Sequence, residues 1–223
     1  MQSAMRGLNE SAPVPSSRGE RSTAPDEAGV VTVDCIADLA WINEPGIQGV
    51  RLRRSPDARI VTEVEQLGRE GRIGSGMRVR IDAGTLATDY PRAGFPPAPA
   101  LLADIARLAE LYVDLIGCPA LGLRMEVLDR AMCPRFHVDA VGVRLLCTYR
   151  GPGTEWARRD VLAHRDDPQA QRALGFAEPF DVLILKGSAW PGNEGAGAVH
   201  RSPAPQGGPP PRLLLSIDAI WDE

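Results

Sequence analysis

Between Leu121 and Ile220 the sequence offers four short apolar runs, LGLRMEVLD, VRLLCTY, DVLILKG and RLLLSIDAI, with no strong helical period between any two of them. That pattern constrains the fold more than any other feature. Parallel strands in one sheet need crossover connections of a dozen or more residues, usually helical. Runs joined only by Gly- and Pro-rich segments therefore predict an antiparallel sheet and argue against a doubly wound α/β fold. Two of the connections, Arg150 to Phe180 and Gly187 to Pro211, are long for a compact domain. Ordered loops of that length usually carry function.

The N-terminal half adds helices. In PAPALLADIARLAELYVDLIGCP, the residues Leu101, Ile105, Leu108, Tyr112 and Leu115 are spaced 4, 3, 4 and 3 apart. They form one apolar stripe, and Asp104, Arg107 and Asp114 are expected to lie off it. Gly117 and Pro119 end the helix. SPDARIVTEVEQLGREG reads as a second helix with a capped start. VVTVDCIADLAWI reads as a strand or turn entering a short helix, and GIQGVRLRR and SGMRVRIDA read as strands. The expected class is α+β, with N-terminal helices packed on a C-terminal antiparallel sheet. Residues 1–28, rich in Ser, Pro and charge, are expected to be a disordered tail, and residues 29–223 one domain.

Composition narrows the function classes. A net charge of −4 argues against nonspecific nucleic-acid binding. No apolar run is long enough to span a bilayer, and no secretory signal is evident in the first thirty residues. The four cysteines, Cys35, Cys118, Cys133 and Cys147, form no C-x-x-C pair. The simplest expectation is a reduced cytoplasmic protein with no membrane partner.

The chain has three histidines, and His137 stands two residues before Asp139. In a strand, residues i and i+2 share a face, so an imidazole and a carboxylate can reach one point. With His200, in GAGAVHRSP, they would make a two-His-one-carboxylate facial triad for a metal ion with open positions. The competing reading of His-x-Asp is a histidine whose tautomer is set by an acceptor. Arg212 follows His200 and is suited to clamp a carboxylate in a fork of hydrogen bonds. His164 lies in a charged segment and reads as a solvated residue, the alternative being a further ligand or a lid residue over the site. Cys133 is either a further, thiolate ligand or, as favoured here, a buried apolar cysteine. Lys186 is expected to be a solvated strand-end lysine. Glu155 and Trp156 either line the pocket mouth or cap a turn, and SAWPGNEGAGAV is either a tight turn or a pocket edge.

From Leu121 to Ile220 the order of these residues resembles the double-stranded β-helix (jelly-roll) core of iron(II)- and 2-oxoglutarate-dependent oxygenases. Those enzymes carry a His-x-Asp after an early strand, a distal His on a late strand and an Arg on the last strand. His137, Asp139, His200 and Arg212 stand in those places. CPRFHVD, RLLCTYRGPGTEW, LKGSAWPG and GAVHRSP…RLLLSID resemble more closely the bacterial family called domain of unknown function 1826. The oxygenase resemblance implies a C-terminal jelly roll, Fe(II) on His137, Asp139 and His200, and 2-oxoglutarate held by Arg212. Many such oxygenases carry Ser or Thr two residues past the arginine, where this chain has Leu214 and places Ser216 two further on. Arg144 and Arg201 are therefore rival anion binders. Two functions remain open: an oxygenase of unknown small-molecule or protein substrate, or a noncatalytic zinc-binding protein. The family resemblance implies a link to zinc homeostasis for the second.

Overall fold

The computed structural model describes residues 24–70, 77–86, 98–203 and 211–221. Most of the segment read as a tail lies outside the described residues. Asp26 does not: its Oδ1 accepts from the amides of Ala28 and Val30, and its Oδ2 from the Trp156 indole at 2.9 Å. Ordered structure thus starts ahead of residue 29.

Three short strands come from the N-terminal half: β1 (Val30–Val33), β2 (Gly49–Leu52) and β3 (Met77–Asp82). A 3-10 helix, Ile36–Asn43, links the first two. Helix α1 (Ala58–Arg69) buries Ile60, Val64 and Leu67 on one stripe, and the Asp57 carboxylate caps it by accepting from the Arg59 amide. Helix α2 (Pro99–Ile116) starts with Pro at its first position and ends at Gly117, whose φ of 72° suits a residue without Cβ. Strands β4 (Ala120–Leu128), β5 (Val143–Arg150), β6 (Glu155–Trp156), β7 (Gly175–Phe176), β8 (Val182–Lys186), β9 (His200–Arg201) and β10 (Arg212–Ile220) follow.

The strands form a seven-stranded sheet in the order β1-β2-β8-β5-β10-β4-β3 and a three-stranded sheet in the order β7-β6-β9. Every pair in both sheets is antiparallel except β1–β2. The expected antiparallel core is therefore present, but it is not purely C-terminal. β1 and β2 extend one edge of the large sheet and β3 forms the other, so the N-terminal half contributes strands as well as helices.

Strand alternation divides the interior into two layers. Leu145, Cys147 and Tyr149 of β5, Val182 and Ile184 of β8, and Leu213, Leu215 and Ile217 of β10 join the apolar core with Ile60, Leu101, Ile105, Leu108 and Tyr112 of the helices. The intervening residues Leu146, Leu183, Leu185 and Leu214 face the other way and cluster with Trp156 of the small sheet and with Ala177, which follows β7. A second correction concerns Asp104. It was expected off the apolar stripe but is 6% exposed. Its carboxylate accepts from Arg54 at 2.8 and 2.9 Å and from the Tyr149 hydroxyl at 2.7 Å. A buried carboxylate on the core face is tolerable because both oxygens are satisfied. Lys186 is likewise 4% exposed rather than solvated. Its Nζ donates to the Glu44 carbonyl at 3.0 Å and lies 5.3 Å from the centre of the Trp190 ring.

Candidate metal centre

The segment after β4 runs back across the small sheet, and His137 bridges His200 of β9 through a reciprocal pair of backbone hydrogen bonds of 3.0 and 2.9 Å. This contact brings two histidines 63 positions apart in sequence side by side, with ring centres 4.6 Å apart. Asp139 completes the group. Its Oδ1 lies 3.4 Å from His137 Nε2 and its Oδ2 lies 3.3 Å from His200 Nε2. One potential ligand atom from each residue falls within 4.8 Å of the other two.

The ring orientations are set from behind. His137 Nδ1 is 3.0 Å from the Arg135 carbonyl, and His200 Nδ1 is 3.0 Å from the Ala198 carbonyl. A carbonyl can only accept, so each Nδ1 carries hydrogen, and in the neutral ring Nε2 keeps its lone pair toward Asp139. Hydrogen bonding to Asp139 raises the His137 pKa. Burial alone would raise the Asp139 pKa, but hydrogen bonding to the histidine rings in their Nε2-protonated form and the charge of Arg144 hold it well below the usual carboxylate range.

The cavity beside these three residues is lined also by Arg144, Leu146, Thr154, Arg212, Leu214 and Ser216. Arg212, Leu214 and Ser216 are alternate residues of β10 and share its site face. Arg212 is 6% exposed and its Nη2 donates to Thr148 Oγ1 at 3.0 Å and Thr154 Oγ1 at 2.8 Å. Both acceptors are neutral. Among the described residues its Nε has no partner, and neither has Ser216 Oγ. Burial pushes the Arg212 guanidinium down to about 10, because no carboxylate offsets the desolvation.

The other two arginines proposed as anion binders are committed elsewhere. Arg144 donates to Asp139 and to both oxygens of Asp218. Arg201 donates to Glu155 at 2.6 Å and stacks on Phe136. Both line or adjoin the cavity, yet only Arg212 meets no carboxylate among the described residues. Ser216, two residues beyond the position expected of a second anion contact, sits on the same strand face and in the same cavity. Sequence reasoning did not single out Thr148 and Thr154, although both lie within the RLLCTYRGPGTEW stretch that resembles the family. Their role emerges only from the bend at Gly151, which returns the chain past Arg212.

Cys133 lines the cavity but is exposed, so it is neither the buried apolar cysteine expected nor part of the three-residue group. His164 is exposed in its charged segment. Trp156 is buried against Asp26 and Glu155 is paired with Arg201, so the pair fastens the small sheet. SAWPGNEGAGAV folds as turns: the Ser188 amide donates to the Asp139 carbonyl, and buried Asn193 exchanges hydrogen bonds with Gln48. The Gly187 position leaves no space for a Cβ, which would meet the Val141 carbonyl oxygen.

The family model described as "Protein of unknown function (DUF1826)" matches residues 33–218. The chain belongs to this family. No curated protein matches the sequence. Among solved structures, the dioxygenase for auxin oxidation from rice is similar with a TM-score of 0.50 at 15% identity, over 85% of this chain and 82% of that one. The dioxygenase for auxin oxidation 1 from Arabidopsis thaliana, solved as a 2-oxoglutarate binary complex, gives a TM-score of 0.52 at 10% identity, over 86% of this chain and 92% of that one. At these identities the likeness is one of fold. The DUF1826 chain thus shares the fold of 2-oxoglutarate oxygenases and carries a His-Asp-His group able to hold a metal. Among the described residues, no helix is long and apolar enough to cross a membrane.

Proposed function

We propose that this DUF1826 protein is an iron(II)- and 2-oxoglutarate-dependent oxygenase, with His137, Asp139 and His200 as metal ligands and Arg212 as the carboxylate clamp. The observation that carries the reading is Arg212: a buried guanidinium with an unpartnered Nε in the same cavity as the triad. A protein that only stored or passed on zinc would have no use for a desolvated cation there. The donor set fits the metal, since two imidazoles and a carboxylate suit an ion that keeps open positions. Among the described residues, the group also lacks the fourth protein ligand of a closed structural zinc site.

Bound there, the iron and its oxoacid supply the oxidative chemistry. The protein's own residues do the rest. The Arg135 and Ala198 carbonyls fix the two histidine tautomers. Thr148 and Thr154 hold the Arg212 fork in place, and Ser216 Oγ is a further donor for the carboxylate. Leu146 and Leu214 wall the cavity between the two polar ends and limit the water around them.

The test is anaerobic titration of the Fe(II)-loaded protein with 2-oxoglutarate. The expected result is the weak visible charge-transfer band of a chelated oxoacid, with His200→Ala lowering metal affinity. Absence of both 2-oxoglutarate binding and oxygen-dependent succinate formation would overturn the enzyme. Tight zinc binding alone would then leave the store or transfer protein.

A further inference from the structure

Arg144 sits on β5 with its side chain on the site face, and every arm of its guanidinium is engaged. Nε donates to Asp218 Oδ1 at 2.6 Å, Nη2 to Asp218 Oδ2 at 2.9 Å, and Nη1 to Asp139 Oδ2 at 2.7 Å. Asp218 stands directly opposite Arg144 on β10, and Arg124 of β4 donates to the same Asp218 Oδ2 at 2.6 Å. The paired bonds to Asp218 fix the guanidinium plane. The remaining arm therefore cannot swing, and it is aimed at one oxygen of one carboxylate. Three neighbouring strands of the rigid sheet thus set the position of Asp139, which itself lies in a loop segment.

We propose that Arg144 is a positioning residue that keeps Asp139 a one-oxygen ligand and so preserves the open coordination positions of the metal. The proposal rests on the metal-centre reading above. A free carboxylate can bind an ion through both oxygens. A short charge-assisted bond uses a lone pair of Oδ2 and lowers its basicity, which leaves Oδ1, on the His137 side, as the better donor. A facial triad works only while positions remain open for an oxoacid and oxygen. A second carboxylate contact would consume one.

The experiment uses the full chain loaded with Mn(II) alone, without oxoacid or oxygen, and reads the water-proton relaxation enhancement per bound ion, which counts exchangeable inner-sphere waters. In Arg144→Met the enhancement should fall by about a third, as expected when one of three open positions is lost, with Mn(II) bound at least as tightly as in the unmodified protein. Arg144→Lys, which restores one donor, should recover part of the loss. Asp218→Asn keeps Arg144 but weakens the bonds that aim it, and should show a smaller fall in the same direction. That variant decides the matter if Arg144→Met does not fold. Normal Mn(II) uptake with unchanged enhancement in the folded variants overturns this proposal alone. Failure of the unmodified protein to bind Mn(II) overturns the metal centre and this proposal together.

Discussion

Each face of the large sheet carries an arginine beside strand β5, half-buried Arg54 on one and buried Arg212 on the other, and the two are treated in opposite ways. On the helix side, Arg54 meets the Asp104 carboxylate in a fork, donates to the Phe180 carbonyl and lies 3.5 Å from Cys147 Sγ. Burial would lower its pKa, but the hydrogen bonds to Asp104 raise it instead. On the site side, Arg212 has two threonine hydroxyls, no carboxylate among the described residues and a lowered pKa. A buried cation supplied with its own anion holds a fold together. A buried cation left without one is suited to take up a carboxylate, because an incoming anion would relieve a desolvation that the described residues leave uncompensated.

This contrast can be broken most strongly on the helix side. Asp104→Ala should cost about 3–5 kcal/mol, since it strands Arg54 in the core, and urea denaturation would measure the loss. Arg212→Met should do the reverse. It should leave the stability of the ligand-free protein within about 1 kcal/mol, because the residue is not paired with an anion, while weakening 2-oxoglutarate binding by about 2–5 kcal/mol in calorimetric titration. Metal affinity should be nearly unchanged, since Arg212 is not a ligand.

Alkaline pH sharpens the comparison from another side. Burial pushes the Cys147 thiol from an ordinary 9.0 up to about 12 on the helix face. The folded value is the higher one, so its contribution to stability is complete below pH 9 and is lost as pH rises toward 12. The melting temperature should fall across that window, and Cys147→Ala should flatten the fall. The smallest effect is expected at the N-terminus. Asp26→Ala removes the acceptor of the buried Trp156 indole. It should cost about 1 kcal/mol in thermal unfolding, whereas deleting residues 1–23 should leave the transition where it is.

Much of the site was legible because it obeys short-range rules. His137 and Asp139 share a side by their spacing, and the Gly-rich approach to His200 allowed the chain to return. The long apolar runs that became β4, β5, β8 and β10 were equally plain. β6, β7 and β9 were not, since two residues carry no period. The placement of β1, β2 and β3 in the large sheet was hidden for another reason: β2 pairs with β8 at Gly49↔Leu185 and β3 with β4 at Met77↔Met125, and pairing between segments so far apart in sequence leaves no local trace. Asp104 looked like a solvent residue because its partner Arg54 lies fifty positions away. The same blindness made Arg144, Arg201 and Arg212 look alike, although Asp218 and Glu155 had already claimed two of them.

Strand β10 is the last described element in chain order, yet it lies between β5 and β4 in the interior of the sheet. Without β10, β4 and β5 would each present an unpaired edge in this arrangement, the kind of surface that invites pairing with other chains. Closure of that gap delivers Arg212 and Ser216 to the cavity and Leu213, Leu215 and Ile217 to the helix core in a single insertion. The strand that covers the facing edges of β4 and β5 is therefore also the one that completes the cavity beside His137, Asp139 and His200.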